Sequence, residues 1–272
     1  MVKRRAQKFK SPLGETPDEL RRRVLRILRA LKKAYPDAHV PLNYSNPLEL
    51  LVATTLSAQC TDARVNEVTA KLFRKYRTPA DWAAAPLETL EEEVRPTGFF
   101  RNKARSIKAA TGDIIERFDG KVPDTLEDLT SLRGLGRKSA NVVLAHAFDK
   151  QGIIVDTHFI RLSRRMGLTV EFDPVKIEFN LQEIVPEKHW SEFSLMLTWH
   201  GRVTCPARKP HCDECPIAKD CPSCGSRGEI TWKVKEPKWK KERAAKKKAA
   251  TRAKEAAKKP RTRKAKAKGS RS

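Results

Sequence analysis

LRGLGRKSANVVLAHAF, residues 132–148, and IIVDTHFIRL, residues 153–162, decide how the whole chain is read. Leu132 to Arg137 reads as a tight connection between two helical segments, because Gly134 and Gly136 permit backbone conformations and close approaches that a Cβ hinders. A helix is expected from Arg137, with Ala140, Val142, Val143, Ala145 and Ala147 as its candidate buried face. A glycine turn opening onto a helix offers unpaired backbone N–H groups at the positive end of the helix dipole, which suits a phosphate. That dipole end and the neighbouring Arg137 both disfavour an ammonium on Lys138. Its pKa is therefore expected to fall, leaving a free amine that can act as a nucleophile. The local string equally admits a plainer reading, a glycine turn joining two core helices with a solvated lysine behind it.

The 272 residues are enough for a sizeable core in one large or two moderate domains. Lys plus Arg number 57 against 33 Asp plus Glu, a net +24. The excess is concentrated at the end, where residues 231–272 hold 19 basic and 3 acidic side chains. This balance favours a polyanionic partner, nucleic acid ahead of an anionic membrane. No apolar run approaches the roughly 18 residues that a spanning helix needs, and the N-terminus lacks a signal-peptide core, so an intracellular protein with no membrane partner is expected.

Residues 1–15 are basic and turn-rich, and are expected to be mobile. Thr16, Pro17 and Glu19 fit a capping box opening a helix through about Tyr35, with Leu20, Val24, Ile27, Leu28 and Leu31 as its buried stripe. Asn46 and Pro47 open a mostly apolar and therefore central helix that ends in SAQCTD, residues 57–62. Asp62 begins an amphipathic helix, and shorter ones follow at Pro79 to Ala84 and Leu87 to Val94. TGFFRNKARSI, residues 97–107, leads into a helix from Lys103 to Phe118, and Val122 to Ser131, with Pro123 and Asp124 at its start, leads into the glycine turn. Gly152 to Val155 is an apolar link delivering Asp156, after which Phe159–Met166, Pro174–Ile184 and Trp190–His200 read as helices. Strand patterning is scarce, so the fold class is all-α.

Cys205, Cys212, Cys215 and Cys221 are spaced C-x6-C-x2-C-x5-C. Four thiolates so close repel one another unless a cation or cluster holds them, and a chain without a secretory signal points to metal ligation over disulfides. Tetrahedral zinc and a [4Fe-4S] cluster both accept four sulfurs, and spacing alone does not choose between them. Cys60 reads as a small buried hydrophobe and Cys224 as unligated.

In LLVATTLSAQCTD, TGFFRNKA, LRGLGRKSANVV, VDTH, HGRVTC and the cysteine cluster, taken together and in this order from about Pro41 to Cys221, the chain resembles the endonuclease III branch of the helix-hairpin-helix DNA glycosylase superfamily. The resemblance implies a six-helix barrel domain over about 40–150, containing the helix-hairpin-helix, and an iron-sulfur cluster domain built from about 16–39 with 151–226. It implies that the four cysteines hold [4Fe-4S], and that Lys138 and Asp156 are the catalytic pair. It also implies that Gln59 fills the gap left by an everted nucleotide, that Phe99 is the apolar wedge in the base stack, and that Gly134, Gly136, Arg137, Arg101, Lys103, Arg208 and Lys209 meet the DNA backbone.

Breaking the bond between base and deoxyribose develops positive charge on the sugar, which a carboxylate at Asp156 stabilises. An amine attacking the same carbon forms a Schiff base that permits β-elimination of the 3′ phosphate. Asp156 is also a candidate to accept the amine's proton, whereas His158 is expected to be a structural hydrogen-bonder. Relatives that only remove a base lack a lysine at this position. Lys138 with Ala58 and Gln59 thus suggests a monomeric, bifunctional glycosylase and abasic-site lyase acting on oxidised or ring-saturated pyrimidines in double-stranded DNA. A glycosylase of the same superfamily with another base specificity, and a non-catalytic helix-hairpin-helix DNA-binding protein, remain the alternatives. The Lys/Ala/Arg-rich tail, residues 231–272, resembles basic chromatin or nucleoid tails in composition and is expected to be disordered when free and to raise DNA affinity in a salt-dependent way, in the cytoplasm or nucleoid of a bacterium, with the nucleus as the alternative compartment.

Overall fold

The computed structural model describes residues 10–227 and 229–230. The basic tail and residues 1–9 of the basic N-terminal stretch lie outside the described residues. All regular structure among the described residues is helical. The helices are α1 (Pro17–Ala34), α2 (Pro47–Leu56), α3 (Asp62–Lys75), α4 (Pro79–Ala84), α5 (Leu87–Val94), α6 (Phe100–Phe118), α7 (Leu126–Ser131), α8 (Arg137–Ala147), α9 (Thr157–Arg165), α10 (Pro174–Ile184) and α11 (Trp190–Val203). Among the described residues no helix is long and apolar enough to cross a membrane.

Local chemistry sets most of the boundaries. α1 begins at the expected capping box: the Glu19 N–H donates to Thr16 Oγ1 at 3.3 Å and the Thr16 N–H to Glu19 Oε2 at 2.8 Å. Asn46 caps α2 by accepting the Glu49 N–H on its Oδ1 at 3.0 Å, and the mostly apolar helix is buried on nearly every side. Three starts differ from expectation. α6 begins at Phe100, three residues early, because Phe99 adopts a left-handed conformation and serves as its N-cap. α7 begins only at Leu126, because Thr125 is the capping residue and Pro123 and Asp124 belong to the turn before it. α9 begins at Thr157, because the Asp156 carboxylate is itself the N-cap. The N-terminal stretch expected to be mobile through Glu15 is docked at its end: Glu15 takes both Arg23 Nε and Nη2, at 2.6 and 2.7 Å.

The helices enclose two hydrophobic cores. One gathers apolar residues from α2 through α8, with Leu50, Leu51, Trp82, Leu90, Ile107 and Ile114 fully buried. The other joins α1 to α9, α10 and α11 around Leu20, Ile27, Leu31, Phe159 and Phe193. Burying each such side chain contributes about 1.5–3 kcal/mol. The link Gly152–Val155 runs along the seam. Its side chains alternate, Ile153 and Val155 entering the second core and Ile154 the first, the period-two pattern of extended backbone. Asp156 is the next residue, so the seam is where the carboxylate is delivered.

Candidate active site and nucleic-acid interface

Lys138 and Asp156, separated by 18 positions in sequence, line one cavity of about 100 Å³. Lys138 is the second residue of α8. Together with Val142 and His146, spaced four and eight residues on, it puts one face of that helix into the cavity. Asp156 enters from the start of α9: its Oδ1 accepts the Phe159 N–H at 2.7 Å, and Oδ2 lies 3.5 Å from Thr198 Oγ1. At the rim Arg202 of α11 donates to Asp62 of α3 at 2.8 Å, and the Trp199 indole donates to the His39 carbonyl at 2.9 Å. His158 behaves as expected of a structural group: its Nδ1 is 3.2 Å from Arg161 Nη2 and burial lowers its pKa.

Two sets of polar side chains fix the link that carries Asp156. On one side, Ser191, Ser194 and Thr198 share a face of α11. Ser191 Oγ accepts the Gly152 N–H at 3.1 Å, Ser194 Oγ accepts the Ile154 N–H at 2.9 Å, and Thr198 stands at Asp156 itself. Alternate link residues thus meet successive hydroxyls, satisfying backbone donors that no ladder strand reaches. On the other side, Asn141 of α8 donates to the Ile153 carbonyl at 3.3 Å and lies 3.5 Å from Glu178 Oε1. Glu178 in turn receives Arg137 Nε and Nη2 at 2.6 and 2.8 Å.

This changes the reading of Arg137. Expected at the DNA backbone, its guanidinium is instead turned onto a carboxylate only 4% exposed and over the Phe179 ring. The ion pair ties α8 to α10. Glu178→Gln should lower stability by about 1–2 kcal/mol in urea denaturation, below the usual cost of breaking a buried pair because Arg137 keeps partial contact with water.

The remaining interface candidates divide. Gly134 has φ +85° and a Cβ there would lie 2.5 Å from Ser106 Cβ, so the fold itself demands glycine. Gly136, the N-cap of α8, has φ −89° and open space where its Cβ would be. Gln59 and Phe99 are both exposed non-glycine residues at positive φ, 54° and 49°. Phe99 is 62% exposed, whereas the adjacent Phe100 packs against the first core. Backbone strain in exposed side chains of this kind collects at functional sites. Arg101, Arg208 and Lys209 are exposed.

Lys103 departs from expectation. It is only 4% exposed, and its Nζ donates to the Thr97 carbonyl at 2.7 Å. Burial lowers its pKa, opposed by the nearby Cys60 thiol. It therefore holds the Thr97 carbonyl in the turn before Phe99 from a buried position.

Cys205, Cys212, Cys215 and Cys221 form no disulfide and line a single pocket beside α9 and α11, with Cys224 at its edge. Burial pushes the thiols of Cys215 and Cys221 up to about 11. Two arginines of α9 clamp the loop: Arg165 donates to Cys205 Sγ at 3.2 Å, to the Pro206 carbonyl at 2.8 Å and to the Ala207 carbonyl at 2.9 Å, and Arg161 donates to the carbonyls of Gly201 and Cys205, both at 2.9 Å. Among the described residues no three His, Cys, Asp or Glu side chains are gathered as ligands of a single metal ion.

A family described as the HhH-GPD superfamily of base excision DNA repair proteins matches residues 52–187. Endonuclease III of Synechocystis sp. is 50% identical over 75% of this chain and 93% of its own length. Two solved structures, a non-covalent endonuclease III–DNA complex and a trapped endonuclease III–DNA covalent intermediate, are each 42% identical. They cover 78% and 79% of this chain and 98% and 100% of their own, with TM-scores of 0.72 and 0.73. The chain belongs to the endonuclease III branch of the HhH-GPD superfamily.

The all-α fold is the one this branch shares, and both stretches that opened the sequence reading lie within the matched region. Sequence reasoning on this member of the branch did not find the hydroxyl row of α11 or the Arg137–Glu178–Asn141 chain. The first carries a signal in hindsight, since Ser191, Ser194 and Thr198 recur on one helical face of an otherwise apolar helix. The second spans 41 positions and has no local signature.

Proposed function

We propose that this endonuclease III relative is a bifunctional DNA glycosylase and abasic-site lyase of base excision repair, working as an intracellular monomer on duplex DNA and removing oxidised or ring-saturated pyrimidines. The observation that carries the proposal is the shared cavity of Lys138 and Asp156 at the seam between two cores. In this proposal the barrel domain is about 40–150 and the cluster domain about 16–39 with 151–226. A nucleotide everted from the stack enters between them.

The chemistry follows from the two groups. Lys138 Nζ attacks C1′ of the sugar, the glycosidic bond breaks, and the base leaves carrying a proton. The Asp156 carboxylate stabilises the positive charge that develops on the sugar. The amine's proton having gone to the departing base, the ring opens with a solvent proton on its oxygen and gives an iminium, whose C2′ proton is acidic. Its removal expels the 3′ phosphate, cutting the strand, and water then releases the lysine. Gly136 leaves room for a phosphate at the N-terminus of α8, while Gln59 and Phe99 are exposed to occupy the space the nucleotide vacates.

The cysteine pocket suits an iron-sulfur cluster in its donor set, four thiols with no carboxylate among them, on a loop anchored by Arg161 and Arg165. Cys205, Cys212, Cys215 and Cys221 would hold [4Fe-4S]. Bound there, the cluster supplies a rigid support for the loop bearing Arg208 and Lys209. Iron and acid-labile sulfide per chain, measured against zinc, decide this assignment.

The test of the activity is borohydride reduction with the wild-type chain on an abasic-site duplex, paired with product analysis on a thymine glycol duplex. A covalent protein–DNA adduct and a β-elimination end are the expected results. Base release with no adduct and an intact strand would instead mark a glycosylase that uses water.

A further inference from the structure

Thr54 is the one feature of the cavity that neither the fold nor the proposed chemistry explains. It lies on α2, is 5% exposed, and its Oγ1 is buried with no hydrogen-bond partner among the described residues. Three other helical threonines satisfy their hydroxyls on their own helix. Thr55 donates to the Leu51 carbonyl at 2.9 Å, Thr111 to Ile107 at 3.0 Å and Thr130 to Leu126 at 2.7 Å. That back-bond is the ordinary solution for a threonine within a helix. A buried hydroxyl without a partner weakens the fold, whereas a valine of the same shape does not.

Thr54 lines the same cavity as Lys138 and Asp156. From α8, His146 lines it too, two turns beyond Lys138 on the same face. The His146 ring is half-buried and makes no hydrogen bond within the described residues. Burial lowers its pKa, so the neutral ring carries one donor and one acceptor. Leu42, Val142 and Ile154 complete an apolar surround. A partly apolar lining in which two polar side chains have no partner among the described residues describes a recess for a neutral heteroaromatic or ring-saturated base.

We propose that Thr54, with His146 beside it, reads the carbonyl and N–H edge of the everted base and so determines which lesions this enzyme excises. The inference rests on the function proposed above and deepens it. A hydroxyl both donates and accepts, and so meets either group of a pyrimidine's imide edge. No side chain or backbone group among the described residues takes up that hydroxyl. A site built to hydrogen-bond its substrate discriminates strongly, because the wrong substrate leaves buried polar groups unpaired.

Thr54→Val removes only the hydroxyl. Two single-turnover rates are compared: base excision from a thymine glycol duplex, and borohydride trapping on an abasic-site duplex, where no base remains to be read. The ratio of excision to trapping should fall about tenfold in Thr54→Val and recover in Thr54→Ser, which restores the hydroxyl. The valine variant should melt at or above the wild-type temperature. An unchanged ratio, or a parallel loss of both rates, overturns the proposal.

Equilibrium binding to a duplex with a 2′-fluorinated, uncleavable thymine glycol nucleotide supplies an arm independent of Lys138. Thr54→Val should lose the preference for that duplex over undamaged DNA, and a retained preference overturns the assignment even if trapping fails. Failure of the wild type to trap abasic DNA counts against the lyase chemistry alone.

Discussion

Lys138→Ala should lose the borohydride-trapped adduct with abasic-site DNA altogether and cut strands at least ~10³-fold more slowly, with duplex affinity within about threefold of the wild type. The chemical loss is large because, among the described residues, no second amine lines the cavity with Asp156. The binding loss is small because Lys138 is one cation on a strongly basic chain, and each phosphate contact supplies only a share of the salt-dependent affinity. The variant should also fold normally, since Lys138 is exposed and makes no ion pair among those formed by the described residues. Asp156 needs a subtler substitution. As the N-cap of α9 its carboxylate holds the Phe159 N–H, so Asp156→Ala would mix a capping loss of about 1 kcal/mol with the chemical effect. Asparagine caps a helix as well as aspartate does. Asp156→Asn should therefore keep the melting temperature while slowing base excision by about 10²–10³-fold, because the missing charge is the one facing the developing cation. Activity surviving in both variants would remove the amine and the carboxylate from the mechanism.

Most of this site was legible in the chain because its decisive residues sit at ends of helices, where local chemistry speaks. The capping box at Thr16 and Glu19, the Asn46–Pro47 start and the glycines before Arg137 all mark boundaries through short-range sterics and hydrogen bonds. What the sequence did not reveal is where long cationic side chains go. Lys103 and Arg137 look like phosphate ligands beside their turns, yet each finds a buried acceptor, the Thr97 carbonyl for one and Glu178 for the other. Such choices depend on distant elements. A long flexible stem satisfies either outcome equally well in a linear reading. The start of α9 differs from expectation for a related reason: the Asp156 carboxylate that faces the cavity is at the same time the cap of that helix.

The two glycines of the turn should fail in opposite ways. At Gly134 the backbone stands at φ +85°, where an L-residue costs roughly 1–2 kcal/mol, and a new Cβ would press on Ser106 at 2.5 Å from its Cβ and 3.0 Å from its Cα. Ser106 is on α6, so relief requires moving a helix against the turn. Gly134→Ala should therefore destabilise the fold by about 3 kcal/mol or more, lowering the melting temperature by about 6–12 °C. Gly136 meets neither obstacle. Its φ of −89° and ψ of 163° are ordinary extended backbone, and apart from its chain neighbours none of the described residues lies within 4 Å of the added carbon. Gly136→Ala should change stability by less than about 1 kcal/mol, since alanine is only a poorer N-cap. The space it fills is the space a phosphate needs to reach the free N–H groups of α8. Duplex affinity should thus fall about tenfold in a protein that melts like the wild type. An alanine at 136 that binds DNA as tightly as glycine would place the backbone contact elsewhere and detach the turn from its role in orienting Lys138.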